Sequence, residues 1–301
     1  MVLPARPSPL VAALRLAVHK PLGTFGLIVI LIMAILAAFA PIVQRYPPDV
    51  PFQRVNLFHD PDNPLTGSAI ETDASAAPSW EHWFGTDTRG HDLWSRIVWG
   101  TRRSLGIGVA ALAIALSVGT VLGLTSAYFA GRFDTILQRF MDAIQAFPAL
   151  LILILIASIS EATIRTLIIG LGLVGIPQVS RIVRGTVLSL REMPYVEAAR
   201  VLGASNLRIM VRHILPNTAA PIIVVFTIGL GSVILAEAGL AFLGLAPPGV
   251  SWGLMLDEGR NFIQSSPWQA LFAGLAITLA VLAFNLAGDA LRDILDPRLR
   301  V

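Results

Sequence analysis

Residues 104–131 read Ser104-Leu-Gly-Ile-Gly-Val-Ala-Ala-Leu-Ala-Ile-Ala-Leu-Ser-Val-Gly-Thr-Val-Leu-Gly-Leu-Thr-Ser-Ala-Tyr-Phe-Ala-Gly131, without one Asp, Glu, Lys or Arg. A helix needs about 20 mostly apolar residues to cross the ~30 Å hydrocarbon core of a bilayer, so this stretch predicts a membrane span. Five further uncharged runs share its character: 21–44, 143–160, 166–180, 214–236 and 261–288. The shortest, 166–180, reaches only about 22 Å at 1.5 Å per residue and must recruit its flanks, tilt, or lie against other helices. The predicted fold class is an all-α, polytopic membrane protein with about six transmembrane helices.

Composition agrees. The 301 residues are 55% hydrophobic and 14% charged, with a mean hydropathy of +0.72. Soluble chains run at about 45–50% and about 25%, which excludes a soluble enzyme. The only lysine is Lys20, followed by Pro21. No G-x-x-x-x-G-K-[ST] phosphate loop can therefore be built, and the chain cannot hydrolyse ATP by that route. With no cysteine there are no disulfides and no thiolate metal sites. The five histidines are scattered without a His-x-x-x-His pair, which argues against a metal centre.

The first run could be a signal peptide, with Arg6, Arg15 and Lys20 as its basic region and Ala38-Phe39-Ala40 as its cleavage site. Its apolar stretch is too long and Pro41 follows the cut, so it is read as a retained span. Basic residues near the spans set orientation. Placing both termini inside puts 14 of the 22 Lys and Arg there. That predicts a multi-pass membrane protein with cytoplasmic ends: an N-terminal arm at 1–20, a first span at 21–44, and a C-terminal tail at 289–301. The five remaining helices form a transmembrane domain at 104–288.

Between the first two spans lies an external loop, 45–103, with eight of the 19 acidic residues and four of the six tryptophans. It opens on Pro47, Pro48 and Pro51, signals of irregular chain. Leu93, Trp94, Ile97 and Val98 share one helical face and predict an interfacial helix, held at headgroup level by its indoles. Docking of an outside partner is the other reading of this face. The inside loop, 181–214, predicts a helical hairpin: Pro194 suits a first turn, Glu197 favours the helix N-terminus, and Gly203 can take positive φ and end the helix. A short second helix would follow from Asn206. On physics alone this is a basic amphipathic hairpin facing anionic lipid. Its position between two spans leaves no room for a nucleic-acid duplex.

Glu197-Ala198-Ala199, Gly203 four residues later and Leu215-Pro216 resemble the EAA loop of binding-protein-dependent ABC importer permeases. His213-Ile-Leu-Pro-Asn217 is similar to the peptide/nickel subfamily. Phe84-Gly-Thr-Asp-Thr-Arg-Gly-His-Asp92, Arg139-Phe-Met-Asp142 with Phe147-Pro148, Glu237-Ala-Gly-Leu-Ala-Phe-Leu-Gly244, Ser251-Trp-Gly253 and Gly288-Asp-Ala-Leu-Arg-Asp-Ile-Leu-Asp-Pro297 follow in family order, as in the C-type subunit of dipeptide/oligopeptide permeases. His91 stands where the family usually has arginine, and Ala241 where it often has serine.

The resemblance implies a non-enzymatic transport subunit of a bacterial inner membrane, with 104–288 as its permease domain, paired with a paralogous B-type permease, two ABC ATPase subunits and an external solute-binding protein. The chain itself would hold no cofactor; ATP and Mg would sit on the ATPases. It also implies that Glu197, Ala198, Ala199, Gly203, Ala204, Ser205, Asn206, His213, Leu215 and Pro216 couple the permease to those ATPases. Substrates would be di- or oligopeptides, with nickel chelates or glutathione as alternatives. Glu237, about 31 Å along its helix from Pro216, is a gate or cavity candidate near the outer interface. A self-sufficient secondary transporter using Glu237 is the competing class. Gly170-Leu-Gly-Leu-Val-Gly175 matches a dinucleotide fingerprint but sits inside an apolar run, where helix packing explains it better.

Overall fold

Proline opens the first described helix, in the first turn, where N–H groups have no partner within the helix. The computed structural model describes residues 20–55 and 70–295. The expectations for Arg6 and Arg15, for the external segment 56–69 and for the tail from residue 296 lie outside the described residues. After α1 (Pro21–Ala38) and a single turn at Ala40–Val43, β1 (Gln53–Val55) pairs antiparallel with β2 (Ile70–Thr72). The elements that follow are helices: α2 (Leu93–Phe129), α3 (Gly131–Gln145), α4 (Ala149–Ile159), α5 (Ile164–Arg191) and α6 (Pro194–Val201). An irregular helical segment from Asn206 then leads into α7 (Ala219–Phe242), followed by α8 (Trp252–Arg260) and α9 (Trp268–Leu295).

Among the described residues, five stretches are long and apolar enough to cross a membrane: α1, α2, α5, Asn206–Phe242 and α9. A sixth is added if α3 and α4, bent by 79° at their junction, are one span. The uncharged run 143–160 is thus not a straight helix. Phe147-Pro148 breaks it, since proline has no N–H to give and disfavours helical backbone in the residue before it. α4 alone has 11 residues, about 16 Å at 1.5 Å per residue.

Three sequence boundaries move. The 15-residue fourth run becomes the 28-residue α5, because Arg181 and Arg184 stay helical by pairing with carboxylates of α3. The inside loop therefore starts after Arg191 rather than at residue 181, and α6 opens at Pro194. The separate interfacial helix does not form: Leu93, Ile97 and Val98 are buried in the first turns of a 37-residue α2 with no break before the apolar run. Nor is the hairpin's second helix short, since it runs on through Asn206–Phe242.

Small residues set the packing. Gly119 and Gly123 of α2 lie against Val179 and the Ser180 carbonyl of α5, and Gly172 of α5 leaves under 3 Å between a would-be Cβ and Ile114. Gly26 of α1 sits so close to α9 that a Cβ would come within 2.6 Å of the Ala283 carbonyl oxygen. Such backbone contacts replace the hydrophobic driving force that lipid removes.

Candidate functional site

The hairpin is built on a glycine. Gly203 has φ +79°, its N–H donates to the Arg200 carbonyl, and the Ala204 N–H reaches back to the Ala199 carbonyl, both at 3.0 Å. This pair of bonds is a Schellman closure, in which a left-handed residue ends the helix and satisfies its last carbonyls. Ala199 is buried with Val196, Ile209, Met210 and Ile214 against Val183 and Val187 of α5. Ser205 caps the returning leg by accepting from the Arg208 N–H. The Asn206 side chain accepts from Tyr128 Oη at 2.8 Å, which ties the hairpin to the end of α2. Arg191 donates to the Ala127 carbonyl at 3.0 Å at the same place.

Pro216 accounts for the irregular leg. It cannot donate to residue 212, and the chain re-registers: Ile209–Ile214 is a π-helix turn, with Leu215 N–H reaching the Met210 carbonyl, and Leu215–Thr218 is 3₁₀. One-turn π segments inside helices recur at functional sites. Asn217 donates to the His213 carbonyl at 2.7 Å and secures the transition.

The hairpin's outward surface is left open. Val201, Leu202 and Leu207 are 82%, 86% and 67% exposed, and Ala198, Glu197, Arg200 and Arg208 are exposed beside them. Glu197 stands in the first turn of α6, where the helix dipole favours a carboxylate. The resemblance-derived residues therefore divide: Ala199, Gly203, Ala204, Ser205, Asn206, His213, Leu215 and Pro216 build the hairpin, while Glu197 and Ala198 face outward.

A cavity of about 1040 Å³ lies between the hairpin and the middle of the bundle, walled by α4, α5, α7 and the α3–α4 elbow. Among the described residues its lining is apolar apart from Gln145, Gln178, Asn217, Ser232 and the charged Arg292. Such sparse polar groups in an apolar wall are usual for ligand pockets. Gln145 and Gln178 were not singled out in the sequence, because a lone glutamine in an apolar run carries no spacing signal.

Glu237 is far from the hairpin, at the opposite end of α7. Its side chain is buried, with Oε2 accepting from Ser104 Oγ at 3.1 Å and Oε1 without a hydrogen-bond partner among the described residues. Next to Ser104, Arg103 donates to the carbonyls of Pro248 (2.8 Å) and Pro247 (2.6 Å), pinning the strap before α8. The same end carries a polar knot. Asp87 accepts from Arg96 and pairs with His91 Nδ1 at 2.7 Å. Asp92 caps α2 through the Ser95 N–H at 2.9 Å and holds His82 Nδ1 at 2.8 Å. Burial opposes the charge on Asp87, but the neighbouring Arg96 guanidinium and the hydrogen bonds from His91 outweigh it and keep the carboxyl below the usual carboxylate range.

The model of a protein family described as "Binding-protein-dependent transport system inner membrane component" matches residues 119–301. Over 296 residues, 98% of this chain and 94% of the relative, the chain is 41% identical to a Brucella suis biovar 1 protein provisionally named a peptide transport system permease. It is 41% identical over 295 residues, 97% of this chain and 91% of the other, to the dipeptide transport system permease protein DppC of Alkalihalophilus pseudofirmus. With the glutathione transport system permease protein GsiD of Pectobacterium atrosepticum it shares 42% identity over 225 residues, 74% of this chain and 75% of that one.

Proposed function

We propose that this chain, which belongs to the family of binding-protein-dependent transport system inner membrane components, is one of two paralogous permease subunits that form the path for di- or oligopeptides. The observation that carries the proposal is the hairpin Pro194–Thr218. It has a firm apolar core and an exposed apolar tip formed by Val201, Leu202 and Leu207 beside Glu197. A contiguous exposed apolar patch rimmed by charge is the usual mark of a protein interface. Its occupant here would be a cytoplasmic ATPase subunit, one of two, which would bind ATP and Mg and drive the cavity between inward-open and outward-open forms. An external solute-binding protein would deliver the substrate to the opposite end, near the 73–103 knot. Both termini would then lie in the cytoplasm of a bacterial cell.

The cavity supports a peptide-like cargo: neutral amides and a hydroxyl can pair with peptide bonds whatever the flanking side chains. Glutathione, named for one relative, is of the same chemical class. A nickel chelate and an autonomous secondary transporter draw less support, the latter because Glu237 sits beyond the cavity lining. The test is uptake of labelled dipeptide into proteoliposomes holding the permease pair, with and without the ATPases and the binding protein. Uptake should require ATP and every partner. Gradient-driven uptake by this chain alone would replace the proposal with the secondary-transporter class.

A further inference from the structure

We infer that the ion pair between Asp134 of α3 and Arg184 of α5 transmits motion of the hairpin to the cavity wall, which makes the two positioning residues for transport. The inference rests on the coupling function proposed for the hairpin.

Three observations carry it. First, α5 is continuous from Gln178 on the cavity wall to Arg191, three residues before Pro194 opens α6. Pro177 interrupts its ladder just before that stretch, because it cannot donate to the Leu173 carbonyl. The 178–191 segment can therefore pivot as a unit. Second, α3 turns a polar stripe, Asp134, Gln138 and Asp142, toward α2 and α5 at helical spacing. Arg184 Nε and Nη2 each donate to one oxygen of Asp134 at 2.7 Å, Ser126 Oγ donates to the same carboxylate, and Gln138 Nε2 donates to Ser126 Oγ at 3.2 Å. One turn away on α5, Arg181 donates to Asp142 at 2.8 Å. A bidentate guanidinium fork fixes orientation as well as distance. The other face of α3, with Phe133, Ile136 and Phe140, is exposed. Third, α3 ends at the 79° elbow, whose Phe147 and Pro148 line the cavity. A swing of the α5 end must carry α3 with it, and α3 can only move by turning the elbow.

The test uses the complete transporter, reconstituted with its permease partner, both ATPases and binding protein. Asp134→Arg and Arg184→Asp singly should lower dipeptide uptake per ATP hydrolysed by about tenfold, within the range for residues that modulate coupling between sites. The double exchange, Asp134→Arg with Arg184→Asp, should recover most of it. Singles that transport normally, or a double exchange no better than the singles, would overturn the inference. Because damaged assembly could mimic a coupling defect, a second measurement uses Arg184→Lys, which keeps the charge but loses the fork. The absence of native cysteine allows clean spin labelling at Phe147→Cys and Val224→Cys across the cavity. In the otherwise native chain the label distance should change between nucleotide-free and ATP-bound complexes, and Arg184→Lys should shrink that change. An unaltered change sinks the inference. Loss of ATP-dependent uptake by the native complex itself would instead sink the functional proposal beneath it.

Discussion

At residues 73–103, Asp87, Asp92, Arg96 and His82 are buried, with carboxylates set against His and Arg partners. At residues 194–218 the charged side chains face solvent and the largest apolar ones at the tip do too. The first region spends its charges on holding itself together. The second satisfies its backbone through a glycine and a proline and leaves its surface chemistry unused. A region that closes on itself is a fixed platform, and one that closes only its backbone leaves free the surface that the proposed docking needs. That contrast predicts that damage to the knot shows as lost stability, while damage to the hairpin shows as lost transport from a stable protein.

The largest effect should come from the knot. Arg96→Ala removes the cation facing Asp87 and Glu258 and strands a buried carboxylate, at a cost of about 3–5 kcal/mol. Thermal unfolding of the purified protein in detergent measures it; a loss under about 1 kcal/mol would erase the distinction between the two ends. The same pair gives a pH signature. A carboxyl held below its unfolded value stabilises at every pH above that value, near 3.9, and the stabilisation is lost as pH falls through the folded value. The loop before α2 should therefore resist protease from neutral pH down to about pH 4 and open only in stronger acid. Opening between pH 5 and 6 would contradict the depressed value of Asp87.

In the hairpin, Gly203→Pro fixes φ near −65° where the chain needs +79° and removes the bond to the Arg200 carbonyl, a local penalty of about 3 kcal/mol or more. Because the tip is at the edge of the bundle, membrane insertion and the melting of α1, α2 and α9 should survive while ATP-driven uptake is lost. Uptake at the native rate would remove the hairpin from the mechanism.

How far these two regions could be read beforehand follows the same contrast. The hairpin was legible because its features are local: Gly203, Pro216 and the spacing between them are properties of one continuous stretch. The membrane class was legible because hydropathy integrates over whole helices. The knot was quoted as the motif Phe84–Asp92, but its chemistry depends on Arg96 and Glu258 meeting across elements, and no spacing announces that. The polar stripe of α3 was missed because it falls between the uncharged runs 104–131 and 143–160, in a stretch read for its Arg139–Asp142 motif. Its Asp134, Gln138 and Asp142 at helical intervals were the available signal. The continuation of α5 through Arg181 and Arg184 failed for the related reason that charge was taken to end a span, when carboxylates from α3 cover it.

A smaller effect isolates the hairpin's surface from its fold. Leu202 is exposed and touches little, so Leu202→Asp should leave stability within about 0.5 kcal/mol. It should weaken association with the ATPases by about tenfold, as expected for an apolar anchor near an interface centre. Co-purification and titration of the ATPase onto the reconstituted permease separate the two readouts. Equal affinity would move the docking surface elsewhere on the hairpin.

The most local comparison of the two regions uses one substitution in each. Gly203 and Gly85 have nearly the same backbone, φ +79° and +80°, so alanine at either incurs the same left-handed penalty of about 1 kcal/mol. Their surroundings differ. Nothing lies within 4 Å of a Cβ on Gly203, whereas one on Gly85 would collide with the Ala76 carbonyl oxygen and press on Ala77 and Pro78. Gly203→Ala should therefore cost only the conformational term, and Gly85→Ala should add an overpacking cost of about 1–3 kcal/mol because backbone must move. Paired melting curves decide it. If the two variants lose equal stability, the knot is softer than its buried charges imply and the contrast between a closed platform and an open hairpin fails at its most local point.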